Sequence, residues 1–95
     1  MCSFAAFQVG RIWAMSAKFN GLPDAFGDVL KELRANKKWS QMELAAKAGL
    51  HLNALSNLER GRRSPSLYTV FVIARALGIS ASKLIAAVEK AGPKL

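Results

Sequence analysis

Cysteine occurs once in this sequence, as Cys2, and histidine once, as His51. One cysteine cannot close an intrachain disulfide or build a Cys-based zinc site, and the expected setting is cytosolic. A lone histidine with few carboxylates around it is a poor metal ligand, so neither a metal nor a cofactor is expected. Acidic residues are also scarce: Asp24, Asp28, Glu32, Glu43, Glu59 and Glu89 are all the carboxylate side chains there are. No nucleophile, base and orienting group can be assembled from them, which makes an enzyme the weakest reading and leaves no catalytic residue to name. No apolar run approaches the roughly 20 residues that span a bilayer. The opening stretch MCSFAAFQVGRIWAMS lacks a basic start ahead of its apolar part, so it does not read as a secretion signal. No helix sets lysines opposite a broad apolar face, which argues against a membrane-surface role.

What the chain does have is positive charge. Fourteen Lys+Arg against six Asp+Glu give a formal charge of +8 on 95 residues, enough chain for one small domain with a single core and a balance that favours a polyanionic partner.

Residues 1–22 show no defensible period and are read as an N-terminal arm. Met15 is a plausible alternative beginning, which would make the first fourteen residues an upstream extension. Arg11 and Lys18 on that arm are candidates for a DNA backbone or groove contact. From residue 23 to 91 the punctuation is helical, and 92–95 form a tail. Pro23 and Asp24 suit a first turn, and Phe26, Val29, Leu30 and Leu33 repeat at the spacing of one buried stripe, predicting a first helix that ends near Asn36 to Lys38. Ser40 stands three residues before Glu43, the capping-box arrangement, with Trp39 and Leu44 placed as a hydrophobic staple. Gly49 then interrupts a segment rich in Ala and Leu. Its use is as a corner, because glycine closes a helix at positive φ without steric cost. Two short helices, 41–48 and about 52–60, are expected on either side of it, crossing steeply, with Gly61 ending the second. A fourth helix runs from Ser66 through Leu67, Val70, Phe71, Ile73, Ala74 and Leu77 to Gly78. It is apolar almost all round, so part of it is assigned to the core and part to a partner. A fifth opens at Ser80, carries Leu84, Ile85 and Val88, and stops at Gly92 and Pro93. Nothing reads as a strand.

On a wheel of about 100° per residue the third helix divides cleanly. Leu55 and Leu58 fall on one side; Asn53, Ser56, Asn57 and Arg60 fall within one arc opposite. Asparagine can pair bidentately with adenine in the major groove, serine can bond to any base edge, and arginine favours guanine or phosphate. A polar helix face taken alone is more often a solvated surface than a site. Here it follows a capped helix and a glycine corner and is followed at once by Arg60, Arg62 and Arg63. Glu59 lies beside Leu55 on the buried flank and needs a partner. Arg34, at the edge of the first helix's stripe, is the natural choice for a structural ion pair.

S-Q-x-E-L-A at 40–45, Gly49, L-S-N-L-E-R-G at 55–61, P-S-L at 65–67 and I-A-R-A-L-G at 73–78 together resemble the helix-turn-helix of the phage-repressor (Cro and Xre-like) family, over about Phe26 to Leu77. The resemblance implies an all-α, compact, five-helix lambda-repressor-like domain. It implies that Gln41 binds a phosphate and buttresses the recognition helix, that His51, Leu52, Asn53, Ser56 and Asn57 point at base edges, and that Arg34 pairs with Glu59. Two positions depart from the family: His51 stands where Ser or Thr usually caps, and Leu52 where a polar base-reading residue is common. His51 is expected to cap through its ring or to bind phosphate when protonated. Leu52 can meet a thymine methyl or a protein surface.

The expectation is a sequence-specific transcriptional regulator that binds a palindromic operator in double-stranded DNA as a homodimer, joined through helices four and five. Lys37, Lys38, Arg60, Arg62 and Arg63 are expected to supply phosphate contacts. The alternatives keep the fold: an antitoxin or adaptor that binds a toxin or other protein partner, or a controller regulator of a restriction-modification operon.

Overall fold

Helix-forming residues fill the chain from Leu22 onward, and the residues that interrupt them stand at helix ends. The structure, a computed structural model, describes residues 21–92. The arm before Gly21, with Arg11 and Lys18, and residues 93–95 of the tail lie outside the described residues. Helix α1 spans Leu22–Asn36, α2 Gln41–Ala48, α3 Leu52–Glu59, α4 Leu67–Leu77 and α5 Ala81–Ala91. Pro23 sits in the first turn of α1, where a missing N–H leaves no bond unmade. Ser40, Ser66 and Ser80 precede α2, α4 and α5 in extended backbone, each accepting a hydrogen bond from the N–H three residues on. Gly49 and Gly78 end α2 and α4 at φ 73° and 78°. The third helix stops one residue earlier than the wheel suggested: Arg60 is its cap, and the positive φ falls on Gly61.

Each helix contributes one large side chain to the centre of the core. Leu30, Leu44, Leu55, Ile73 and Leu84 are all fully buried, one from each of the five helices. Phe26, Val29, Leu58, Val70, Leu77 and Val88 surround them, and each such burial is worth about 1.5–3 kcal/mol. α1 packs against α3 and α5, α2 against α3 and α4, and α4 against α5, so α3 is held between the first two helices with one flank open. Among the described residues no single helix is long and apolar enough to cross a membrane.

Three side chains of the expected apolar faces lie outside the core. Leu67 and Phe71 on α4 are exposed, and Ile85 is exposed while its neighbours Leu84 and Val88 are buried. Among the described residues no further helix covers the outer surfaces of α4 and α5. The turn between α1 and α2 also differs from the simple helix end expected there. Lys38 adopts φ 60°, the left-handed region, with its N–H donating to the Ala35 carbonyl and the Trp39 N–H to that of Arg34. A residue with a Cβ is strained by about 1 kcal/mol in that conformation.

Candidate nucleic-acid interface

Gly49 on one side and Gly61 on the other limit α3 to eight residues, so a single face can be committed to the core. Leu55, Leu58 and Glu59 take that face. Asn53 and Arg60 are exposed, and Ser56 and Asn57 are half-buried along the same polar arc. The structure therefore brings Asn53, Ser56, Asn57 and Arg60 together on one side of one helix. Leu52 opens that helix, 40% exposed, on the boundary between the polar arc and the buried flank.

His51 occupies the N-cap position in extended backbone, φ −71° and ψ 146°, yet makes no capping hydrogen bond through its side chain. The expectation that its ring caps α3 is not met. A serine or aspartate carries its acceptor on a short rotatable arm, whereas here neither ring nitrogen of the imidazole bonds to a first-turn N–H group. The imidazole is exposed.

The opposite end of α3 is tied down by charge. Arg34 Nε donates to Glu59 Oε2 at 2.6 Å and its Nη2 to Oε1 at 3.0 Å, while Nη1 donates to the Trp39 carbonyl at 2.8 Å. Gln41 Nε2 donates to Glu59 Oε1 at 2.8 Å. One carboxylate, only 3% exposed, thus receives α1 and the start of α2 together, and through Trp39 the same arginine fixes the turn between them. The hydrogen bond to Glu59 raises the Arg34 guanidinium above its ordinary value, against the opposing effect of burial. Since the Gln41 amide is engaged with Glu59, a phosphate at this helix start would meet its second N–H or the backbone N–H groups of the first turn.

The cations divide into two groups. Arg60, Arg62 and Arg63 are exposed directly after α3, and the Arg62 N–H is anchored to the Asn57 carbonyl at 3.0 Å. Arg63 shares an open hollow with Asn57. Lys37 is drawn elsewhere. Its ammonium stands 5.5 Å from the centre of the Trp39 ring, which Lys47 approaches at 4.9 Å, and Lys37 lines a hollow with Leu77, Gly78 and Ile79 at the corner between α4 and α5. Lys38 is exposed on the strained turn between α1 and α2.

The hollow beside Asn57 and Arg63 also takes in Ser64, Ser66 and Thr69, with the Ser66 and Thr69 hydroxyls 2.9 Å apart. These hydroxyls were not singled out from the sequence beyond the role of Ser66 as a cap. The signal for them is the short loop 60–66, which returns the chain to the flank of α3. Among the described residues no cluster of His, Cys, Asp and Glu could hold a metal ion.

Comparison with known proteins matches residues 30–84 to the family described as helix-turn-helix. The chain is 41% identical over 59 residues to the immunity repressor protein of Bacillus phage phi105, an alignment covering 62% of this chain and 41% of that longer relative. It is 38% identical over 72 residues to the control protein C.MunI of a Mycoplasma species, covering 75% of this chain and 97% of the relative. Among solved structures, the restriction-modification controller protein C.Esp1396I, seen as a tetramer in complex with its natural 35 base-pair operator, aligns with a TM-score of 0.68. Its identity is 26%, over 74% of this chain and 92% of that one.

Proposed function

Because the chain belongs to the helix-turn-helix family of DNA-binding transcription regulators, which includes phage repressors and restriction-modification controllers, we propose that it binds a palindromic operator as a homodimer and reads it with α3. The observation that carries this reading is the polar arc of Asn53, Ser56, Asn57 and Arg60, set outward from a helix whose other flank is wholly buried. Asn53 and Asn57 supply the donor and acceptor pairs for base edges, with His51, Leu52 and Ser56 beside them. Arg60, Arg62 and Arg63, with Lys38 and the start of α2 at Gln41, supply phosphate contacts. Lys37 joins them only by leaving the Trp39 ring.

One α3 meets few base pairs, so two copies reading half-sites about 34 Å apart give useful affinity. The pairing surface is the outer side of α4 and α5, where Leu67, Tyr68, Phe71 and Ile85 are exposed. Relatives named as control proteins favour the narrower role of controlling a restriction-modification operon, and the neighbouring genes test it. Exposed Leu52 and the same apolar surface also suit a protein partner such as a toxin, which would co-purify in fixed proportion.

Selection of bound duplexes from a random pool tests the central claim and reports half-site spacing. The Asn53→Ala and Asn57→Ala pair is expected to abolish the selected preference, each lost bidentate contact removing about 1–3 kcal/mol of discrimination. Arg62→Ala is expected to weaken all sequences alike and to lower the salt slope by about one. Retention of the preference in the double Asn variant rejects α3 as the reader.

A further inference from the structure

Gly27 lies on α1, is buried, and belongs to none of the groups assigned above. A Cβ built on it would stand 2.6 Å from the carbonyl oxygens of both Leu58 and Glu59. Real Cβ atoms essentially never come closer than 3.0 Å, and the atoms in the way are backbone, so no side chain can turn aside to make room. Those two carbonyls belong to the last turn of α3. The backbone of α1 is therefore the surface on which the end of α3 rests, and the absence of a side chain at residue 27 sets how deeply it rests there.

The same end carries the polar restraints on α3. Glu59 is gripped by Arg34 and Gln41. Gly61, just beyond, holds φ 74°, which strains any side chain, and a Cβ there would have to turn the Asp24 carboxylate of α1 aside. The far end, with exposed His51, Leu52 and Asn53, has no side-chain cap and follows wherever the seated end points. An eight-residue helix is about 12 Å long, so a displacement at the seat moves the polar arc with it.

We infer that Gly27 is a positioning residue for sequence discrimination: it fixes the depth and direction at which α3 presents Asn53, Ser56 and Asn57, although it can touch no base itself. The inference rests on the operator reading proposed above. Seating a methyl group at residue 27 requires the last turn of α3 to retreat by roughly half an ångström or more, comparable with the tolerance within which a binding constellation keeps its geometry. Bidentate contacts to base edges have that narrow tolerance. The long arginine and lysine side chains that reach phosphates do not.

Gly27→Ala separates the two. Affinity is measured in parallel for a duplex selected by the wild-type chain and for a scrambled duplex of equal length, below the melting temperature of each variant. The expected result is a loss of about tenfold in the ratio of the two affinities, with binding to the scrambled duplex unchanged within about twofold. Val29→Ala, which opens a cavity on the side of α1 toward α5, is the control; it lowers the melting temperature and leaves the ratio intact. An unchanged ratio in folded Gly27→Ala, or equal losses on both duplexes, overturns the inference. Should Gly27→Ala fail to fold in buffer, both chains are measured with trimethylamine N-oxide added, which favours the folded state; a ratio for Gly27→Ala equal to that of the wild type under the same conditions overturns the inference. A wild-type chain without any preference among duplexes overturns the operator reading and this inference together, and that failure shows before any variant is made.

Discussion

α2 and α3 are neighbours of equal length, eight residues each, yet they are held in opposite ways. α2 is secured by its own ends. Ser40 accepts from the Glu43 N–H at 3.1 Å, the Glu43 carboxylate accepts from the Ser40 N–H at 2.7 Å, and Gly49 closes the other end. α3 has no side-chain cap and neither an acidic residue in its first turn nor a basic one in its last. What fixes it comes from elsewhere: a buried flank, Arg34 and Gln41 on Glu59, and the bare backbone of Gly27. The helix proposed to face DNA leaves its first turn unencumbered and is held from behind, at a distance from the proposed contacts.

Substitutions can break that contrast, and the largest effect is expected where α3 is gripped. Arg34→Met or Glu59→Ala leaves a charge or a ring of donors unpaired in a nearly buried site and is expected to cost about 3–5 kcal/mol, a fall of at least about 12 °C in melting temperature for a domain of this size. A melting temperature that does not move shows that α3 is not held by its tertiary partners. Ser40→Ala, which removes only a local cap from α2, is expected to cost about 1 kcal/mol in denaturant unfolding; a loss as large as that of Glu59→Ala would erase the distinction between the two helices.

Smaller changes sharpen the contrast by gain. Lys38→Gly relieves the left-handed backbone at the entry to α2 and is expected to add about 0.5 kcal/mol of stability. It removes one cation from the proposed DNA-facing surface, so salt titration of binding should lose about 0.9 from its slope. His51→Ser gives α3 the cap it lacks and is expected to raise stability by about 0.5 kcal/mol, read as a small increase in the denaturant midpoint. If His51→Ser stabilises nothing, the first turn of α3 already has partners other than a side chain.

The features of this molecule that are local in origin were legible in the sequence. Ser40 with Glu43, Ser66, Ser80, Gly49 and Gly78 mark helix ends through bonds made within four residues, and the structure has its helix ends there. The polar arc of α3 and the burial of Leu55 and Leu58 follow from helical period alone. The pairing of Arg34 with Glu59 was readable because a carboxylate on a buried flank must meet a cation, and one stood at the edge of the right stripe. What escaped depends on how helices approach one another. Nothing near Gly27 in the sequence announces that the end of α3 will lie against it. Trp39 gathers Lys37 and Lys47 only once the turn and α2 bring them together. Ile85 is exposed although Leu84 and Val88 beside it are buried, a division set by how α5 lies on its neighbours, which periodicity does not contain. His51 was given a capping role that its position permits and its ring does not fulfil.

Confining the grip on α3 to Leu55, Leu58, Glu59 and the backbone beside Gly27 leaves positions 53, 56 and 57 outside the core cluster. Their identities can drift through mutation, or be exchanged in the laboratory, while the scaffold stays intact. On the proposed reading, a lineage built on this chassis could acquire new operators by altering three letters on one helix, and retargeting should succeed most readily when residue 27 is left as it is.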